Sequence, residues 1–184
     1  MKYPRVMIDA TVGNGYDTLF MAEWGGPDAR VLGIDLQAEA LESAHHRLKE
    51  AGLENRVKLV QGNHADLAAY VPEDWVATVD LIMFNLGYLP GGDKTMTTCE
   101  SSTLAALVAA RSILRPGGYL SVIAYQGHPG GAEEAEAVSR WFDHREQQGD
   151  QIWRGSLPPE RSLPPRPIGL IAAGSLLDVE INQG

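Results

Sequence analysis

Residues 6–18 read Val-Met-Ile-Asp-Ala-Thr-Val-Gly-Asn-Gly-Tyr-Asp-Thr, a short apolar run that breaks into a glycine-rich turn. A second apolar run, Val31-Leu32-Gly33-Ile34, ends at Asp35. The order strand, glycine turn, helix, strand, acid constrains this chain more than any other feature, because it builds a pocket for an adenosine-containing cofactor. Gly13 and Gly15 let the backbone turn sharply and approach a ligand with no Cβ in the way. A carboxylate at Asp35 accepts hydrogen bonds from both ribose hydroxyls, with Gln37 placed to help. Asp35 could instead simply cap the next helix.

Which cofactor follows from the next residues. A dinucleotide fingerprint calls for a third glycine beside the pyrophosphate; here that position is Thr18, preceded by Asp17. An acid at the helix start repels a pyrophosphate and attracts the ammonium of a methionine moiety, and Asp9 adds negative charge on the same side. These residues favour S-adenosyl-L-methionine over NAD. Thr11 and Asn14 belong to the same turn. Asn63 follows the third strand, where its oxygen can accept from the adenine amino group. His64 beside it either stacks on adenine or caps the next helix.

The alternation of strand and helix signals predicts an α/β fold, a Rossmann-like mainly parallel seven-stranded sheet with one antiparallel strand and helices on both faces. Strands are expected at Arg5–Asp9, Arg30–Asp35, Val57–Gln61, Asp80–Asn85, Tyr119–Tyr125, Gln151–Gly155 and Ile168–Ala173. Helices are expected at Asp17–Trp24, Ala38–Ala51, Ala65–Tyr70, Thr95–Ile113 and Ala132–Gln148. The last two strands have no helix between them and so should pair antiparallel. Their connector, Leu157–Pro167, carries five prolines and reads as a loop. With 184 residues and no linker or repeat, the whole chain reads as one domain.

Five separated segments resemble, in order, the family labelled "putative rRNA methylases" of class I S-adenosylmethionine-dependent methyltransferases. They are Asp9-Ala-Thr-Val-Gly-Asn-Gly-Tyr-Asp-Thr18, Gly33-Ile-Asp-Leu-Gln37, Gly62-Asn-His-Ala-Asp-Leu67, Asn85-Leu-Gly-Tyr-Leu-Pro-Gly-Gly-Asp-Lys94 and Tyr125-Gln-Gly-His-Pro-Gly-Gly131. The resemblance implies an enzyme that methylates the exocyclic amine of 5-aminomethyl-2-thiouridine at the tRNA wobble position, so that tRNA, through its anticodon region, is the partner.

From the residues themselves, Asn85 ends the fourth strand at the carboxyl edge of the sheet, where ligands bind. Its side-chain oxygen and a neighbouring carbonyl can orient a substrate amine for in-line displacement. Tyr88 either stacks on a base or belongs to the core. Asp93 or His128 could take the proton of an alkyl ammonium, although a loop histidine could equally face solvent. One cysteine and scattered histidines give no metal-site spacing.

A net charge of −9 argues against loose, charge-driven nucleic-acid binding. Arg140, Arg145, Arg154, Arg161 and Arg166 cluster near the C-terminus, either as a binding face or as solvated charges. The lone Cys99 fits a reducing compartment. With no signal peptide ahead of the first strand and no membrane span, the expected location is the cytoplasm; a homodimer is compatible with the sequence. Other readings are a methyltransferase for rRNA or a small molecule, a nucleotide-dependent oxidoreductase, and a cofactor-binding module without catalysis.

Overall fold

Neighbouring residues of the central strands are buried on opposite sides, so the sheet must be covered on both faces. Met7 and Ile8, Val31 and Leu32, and Leu81 and Ile82 each split between two separate apolar cores. The computed structural model describes residues 3–89, 91, 97–155 and 164–174. Its elements are β1 (Val6–Asp9), α1 (Tyr16–Trp24), β2 (Arg30–Asp35), α2 (Ala38–Glu50), β3 (Val57–Gln61), α3 (Leu67–Tyr70), β4 (Val79–Leu86), α4 (Glu100–Ile113), β5 (Leu114–Ala124), α5 (Gly131–Gln147), β6 (Gln151–Arg154) and β7 (Arg166–Ile171).

The strands form one seven-stranded sheet in the order β3-β2-β1-β4-β5-β7-β6. β7 runs antiparallel to both β5 and β6, and the other pairings are parallel. Met21 and Ala22 of α1 and Leu48 of α2 pack against Met7, Val31 and Leu81 on one face. Leu67 of α3, Leu107 of α4 and Phe142 of α5 cover Ile8, Leu32 and Ile82 on the other. Among the described residues no helix is long and apolar enough to cross a membrane.

Three of the boundaries that differ from the sequence expectation have a clear local reason. α4 starts at Glu100 rather than Thr95, because Thr97 bridges to Tyr88 and the Thr98 N–H donates to the Gly87 carbonyl at 3.0 Å. Those residues pair with the end of β4 instead of entering the helix. β5 takes in Leu114 through a bulge: Leu114 faces Val79, whereas Tyr119 faces Leu81. Gly117 turns there at φ 71°, and a Cβ on Gly118 would lie 2.8 Å from the Val79 carbonyl.

β7 begins two residues earlier than expected and includes Pro167. The Pro167 carbonyl accepts from the Gly155 N–H at 2.9 Å, just past the last residue of β6.

The sheet edge opposite the glycine turn is locked by a buried carboxylate. Asp150 accepts from Arg111 Nε and Nη2, from Arg145 Nε at 2.7 Å and from the Ala173 N–H at 2.8 Å. Burial alone would raise its pKa, but these donors outweigh it and hold the carboxyl below the usual range.

Candidate functional site

β1, β2 and β4 end on the same side of the sheet, and their last residues build the site. Gly15, with φ 79°, opens α1 where the helix lies against α2; a Cβ there would sit 2.6 Å from the Ala44 Cα. Only glycine allows both the left-handed turn and that approach. The turn is stitched to its neighbours by main-chain bonds: Ala10 N–H to the Met83 carbonyl at 2.9 Å and Val12 N–H to Ile34 at 3.0 Å.

Asp9 lies beneath the turn, fully buried. Its Oδ2 accepts from the Thr18 hydroxyl at 2.5 Å and its Oδ1 from the Thr11 N–H at 3.2 Å. Burial pushes its carboxyl up to about 7; the two hydrogen bonds oppose the rise, and the nearby charges of Asp17 and Asp35 add to it. Thr18, which replaces the third glycine of the dinucleotide pattern, therefore satisfies this acid.

Asp35 ties the turn to the end of β2. Its Oδ2 accepts from the Gly13 N–H at 2.8 Å and its Oδ1 from the Gln37 N–H at 2.9 Å. Each carboxylate oxygen keeps a second lone pair for a ligand.

Two cavities open on this edge. The first, of about 300 Å³, is lined by Thr11, Asp35, Gln37, Asn63, His64, Asn85 and Tyr88 together with Cys99 and Ser102. The second, of about 630 Å³, is lined by Asn14, Tyr16, Asp17, Asn85, Tyr88, Tyr125, Gln126 and Pro165. Asn85, Gly87 and Tyr88 border both. Asn14 and Asp17 line only the second cavity and Asp35 only the first. Asp9, Gly13, Gly15 and His128 line neither cavity.

Asn85 is fixed at two points. Its N–H donates to the Thr11 hydroxyl oxygen, and its side-chain Nδ2 donates to Asp17 Oδ2, both at 2.6 Å. A carboxylate only accepts, so Asp17 dictates which way the amide faces, and Oδ1 is left as the acceptor for the cavities.

Asn63 caps the turn His64–Asp66 through its Oδ1, which accepts from the Ala65 N–H at 2.9 Å. His64 therefore caps nothing. It is buried, edge-on to Phe84, with Nε2 unpartnered among the described residues, and burial lowers its pKa to about 4. A neutral imidazole forms that wall of the first cavity.

His128 is turned away from both cavities. Its Nδ1 lies 3.2 Å from the Thr97 hydroxyl and 3.1 Å from the Pro129 carbonyl, and its Nε2 faces Glu134 Oε2 at 4.0 Å. Only 3% of its side chain is exposed, so its placement suits bracing rather than proton transfer from a substrate. Glu134, on α5, accepts from the hydroxyls of Thr98 and Thr103 at 2.7 and 2.6 Å, and Thr97 donates to the Gly87 carbonyl at 2.9 Å. This network, which no sequence spacing signals, holds the end of β4 to α5. Asp93 lies outside the described residues.

Cys99 was also not anticipated at the site. Its thiol pKa is pulled down by hydrogen bonds with the Ser102 and Ser101 hydroxyls.

The C-terminal arginines are neutralised within the chain. Arg140 and Arg166 pair with Glu136, Arg145 with Asp150, and Arg154 with Asp143 and Glu146. Arg161 lies outside the described residues. The described part of that cluster is a set of ion pairs, not a free cationic face.

Comparison with known proteins gives concordant results. A family model described as "Putative rRNA methylase" matches residues 31–169. A chloroplastic tRNA (mnm(5)s(2)U34)-methyltransferase of Arabidopsis thaliana is 45% identical over 140 residues, 72% of this chain and 50% of that protein. The chain spans half or less of the length of the curated relatives it matches. A crystal structure titled "putative rRNA-methylase" from Clostridium thermocellum superposes with a TM-score of 0.85 at 33% identity, covering 93% of this chain and 90% of that one. A structure titled "a putative methyltransferase" from Streptococcus mutans in complex with SAH gives 0.80 at 28% identity, with the same coverage of 93% and 90%. The chain belongs to the family described as "Putative rRNA methylase".

Proposed function

We propose that this chain is an S-adenosylmethionine-dependent N-methyltransferase whose acceptor is an RNA base amine, the aminomethyl group of 5-aminomethyl-2-thiouridine at the tRNA wobble position. The observation that carries this reading is Asn85, which stands on the wall common to both cavities with its carboxamide oxygen left free by the bond to Asp17. The names and bound SAH of the relatives support the same reaction class.

The first cavity fits the cofactor. Asp35 offers lone pairs to a ribose diol, and the neutral His64 and the Asn63 amide border the space for a purine. Bound there, S-adenosylmethionine would supply a methyl group on a sulfonium, an electrophile that needs no metal. The acceptor amine would enter from the second cavity. Asn85 Oδ1 accepts one of its N–H bonds and so aims its lone pair across the shared wall, where alignment is worth orders of magnitude in rate. Asp17 borders the second cavity, where its negative charge would draw the acceptor in as an ammonium. That charge favours the protonated form, so the amine must lose its proton to solvent before it attacks. The free thiol of Cys99 accords with a reducing cytoplasm.

The test is incubation of the purified protein with S-adenosylmethionine and tRNA carrying the aminomethyl nucleoside, followed by mass spectrometry of the digested nucleosides. One added methyl on that nucleoside is expected. A protein that binds the cofactor yet leaves this nucleoside unmethylated refutes the substrate, and methylation of ribosomal RNA instead would reassign it.

A further inference from the structure

An acidic chain that handles RNA must present unpaired positive charge near its acceptor site, and the described C-terminal arginines are already paired with carboxylates. Arg47, on α2, is different. Its guanidinium lies over the Tyr16 ring, 3.7 Å from the centroid, and its Nε donates to the Asn14 carbonyl at 3.1 Å. Among the described residues it has no carboxylate partner. Tyr16 is 64% exposed even though one face is covered, so the other face is open. Tyr16 lines the second cavity together with Asn85 and the 42%-exposed Tyr125.

We infer that Tyr16 and Arg47 form a docking element for single-stranded RNA at the rim of the acceptor cavity, Tyr16 stacking on a base and Arg47 facing a phosphate. The inference rests on the RNA reading above and adds the direction from which the strand arrives: over α1 and α2, not over α5 and β6. Each part of the arrangement suits that partner. Stacking on an aromatic ring tolerates any base, and a ring pinned by a guanidinium loses little freedom when a base lands on it. Arg47 is itself held by the ring and by the Asn14 carbonyl, and its two Nη groups have no hydrogen-bond partner among the described residues. A base seated there would lie next to the turn that carries Asn85, so stacking would also draw the neighbouring nucleotide out of its strand toward the amine acceptor.

The experiment is fluorescence anisotropy with a labelled single-stranded oligoribonucleotide, run as a salt series, on the wild type, Tyr16→Ala, Tyr16→Phe, Arg47→Gln and an Arg154→Gln/Arg166→Gln double variant. Titration with S-adenosylmethionine on each variant reports that the fold and first cavity are intact. Tyr16→Ala should weaken RNA binding about tenfold, while Tyr16→Phe, which keeps the ring, stays near wild type. Arg47→Gln should lower the slope of log affinity against log salt by about 0.7, the value for one single-strand phosphate contact. The double variant should leave that slope unchanged. Wild-type RNA affinity in Tyr16→Ala, a wild-type slope in Arg47→Gln, or no RNA binding by the wild type overturns the inference. A wild type that binds RNA through these residues but does not methylate it refutes the proposed reaction and leaves the docking element standing.

Discussion

Replacing Asp9 with asparagine should change how stability depends on pH, in a direction that the buried groups of the site fix. The folded chain holds the Asp9 proton until about pH 7, against an ordinary value of 3.8. Between those values the folded state binds more protons than the unfolded one, so this group lowers stability as pH rises. At about 1.4 kcal/mol per pH unit, the loss comes to about 4 kcal/mol. His64 acts in the opposite sense. Its pKa falls from 6.5 to about 4, so the unfolded chain binds the extra proton there and stability rises by about 3 kcal/mol over that range. In the wild type the two contributions nearly cancel between pH 4 and pH 6.5, and a net fall follows up to pH 7.

The Asp9→Asn variant keeps the shape of the site: the new amide oxygen can still accept from the Thr11 N–H, and the Thr18 hydroxyl can rotate to accept from the amide nitrogen. Urea unfolding of both proteins at pH 4.5, 6 and 8 is the assay. The stability difference, variant minus wild type, should grow by several kcal/mol from the lowest to the highest pH. A difference that stays constant across that range refutes the assignment of a retained proton to Asp9.

Three other substitutions probe the site and its scaffold. Asp35→Ala should weaken S-adenosylmethionine binding more than a hundredfold by calorimetry, because it removes about 3 kcal/mol of charge-assisted bonds and frees the Gly13 N–H as well; unchanged affinity removes Asp35 from the cofactor site. Asn85→Ala should cut single-turnover methyl transfer about a hundredfold while cofactor affinity stays within about twofold, since the role proposed for its oxygen is toward the acceptor; normal turnover refutes the role of the β4 terminus. Asp150→Ala should cost about 3–5 kcal/mol in urea unfolding by stranding Arg111 and Arg145 without their buried carboxylate; a cost below about 1 kcal/mol would show that the arginines find other partners.

The sheet was legible in the chain because its strands are short, apolar and buried on two faces, and because the glycine turn ties β1, α1 and β2 into a recognisable unit. The antiparallel last pair followed from the missing crossover helix. What stayed hidden depends on pairings between distant residues. The start of α4 is set by Thr97 and Thr98 bonding to Gly87, so no helix signal within 95–100 could have located it. His128 reads as a loop histidine until Glu134, Thr97 and Tyr88 close around it. The arginine cluster looks free in sequence because its carboxylates, Glu136, Asp143, Glu146 and Asp150, count there only as net charge. Nothing in the local sequence marks Tyr16 as a platform, since the guanidinium that pins it sits on another helix.

A side-chain amide at the end of a strand, such as that of Asn85, could rotate and offer either its oxygen or its nitrogen, and only one of these can receive an amine N–H. Asp17 selects the oxygen from the α1 side, and Thr11 fixes the main chain from the β1 turn. Just downstream, Thr97 and Thr98 hold the Gly87 carbonyl, while Glu134 anchors Thr98 to α5. The end of β4 is thus tied to both faces of the sheet before any ligand enters, and the proposed reaction, whose rate depends on aligning a lone pair with a methyl group, needs that kind of preorganisation. Asp17 therefore does more than add charge beside the glycine turn: through one hydrogen bond it determines whether the end of β4 presents an acceptor or a donor to the two cavities, which in the proposed reaction decides how an amine is received.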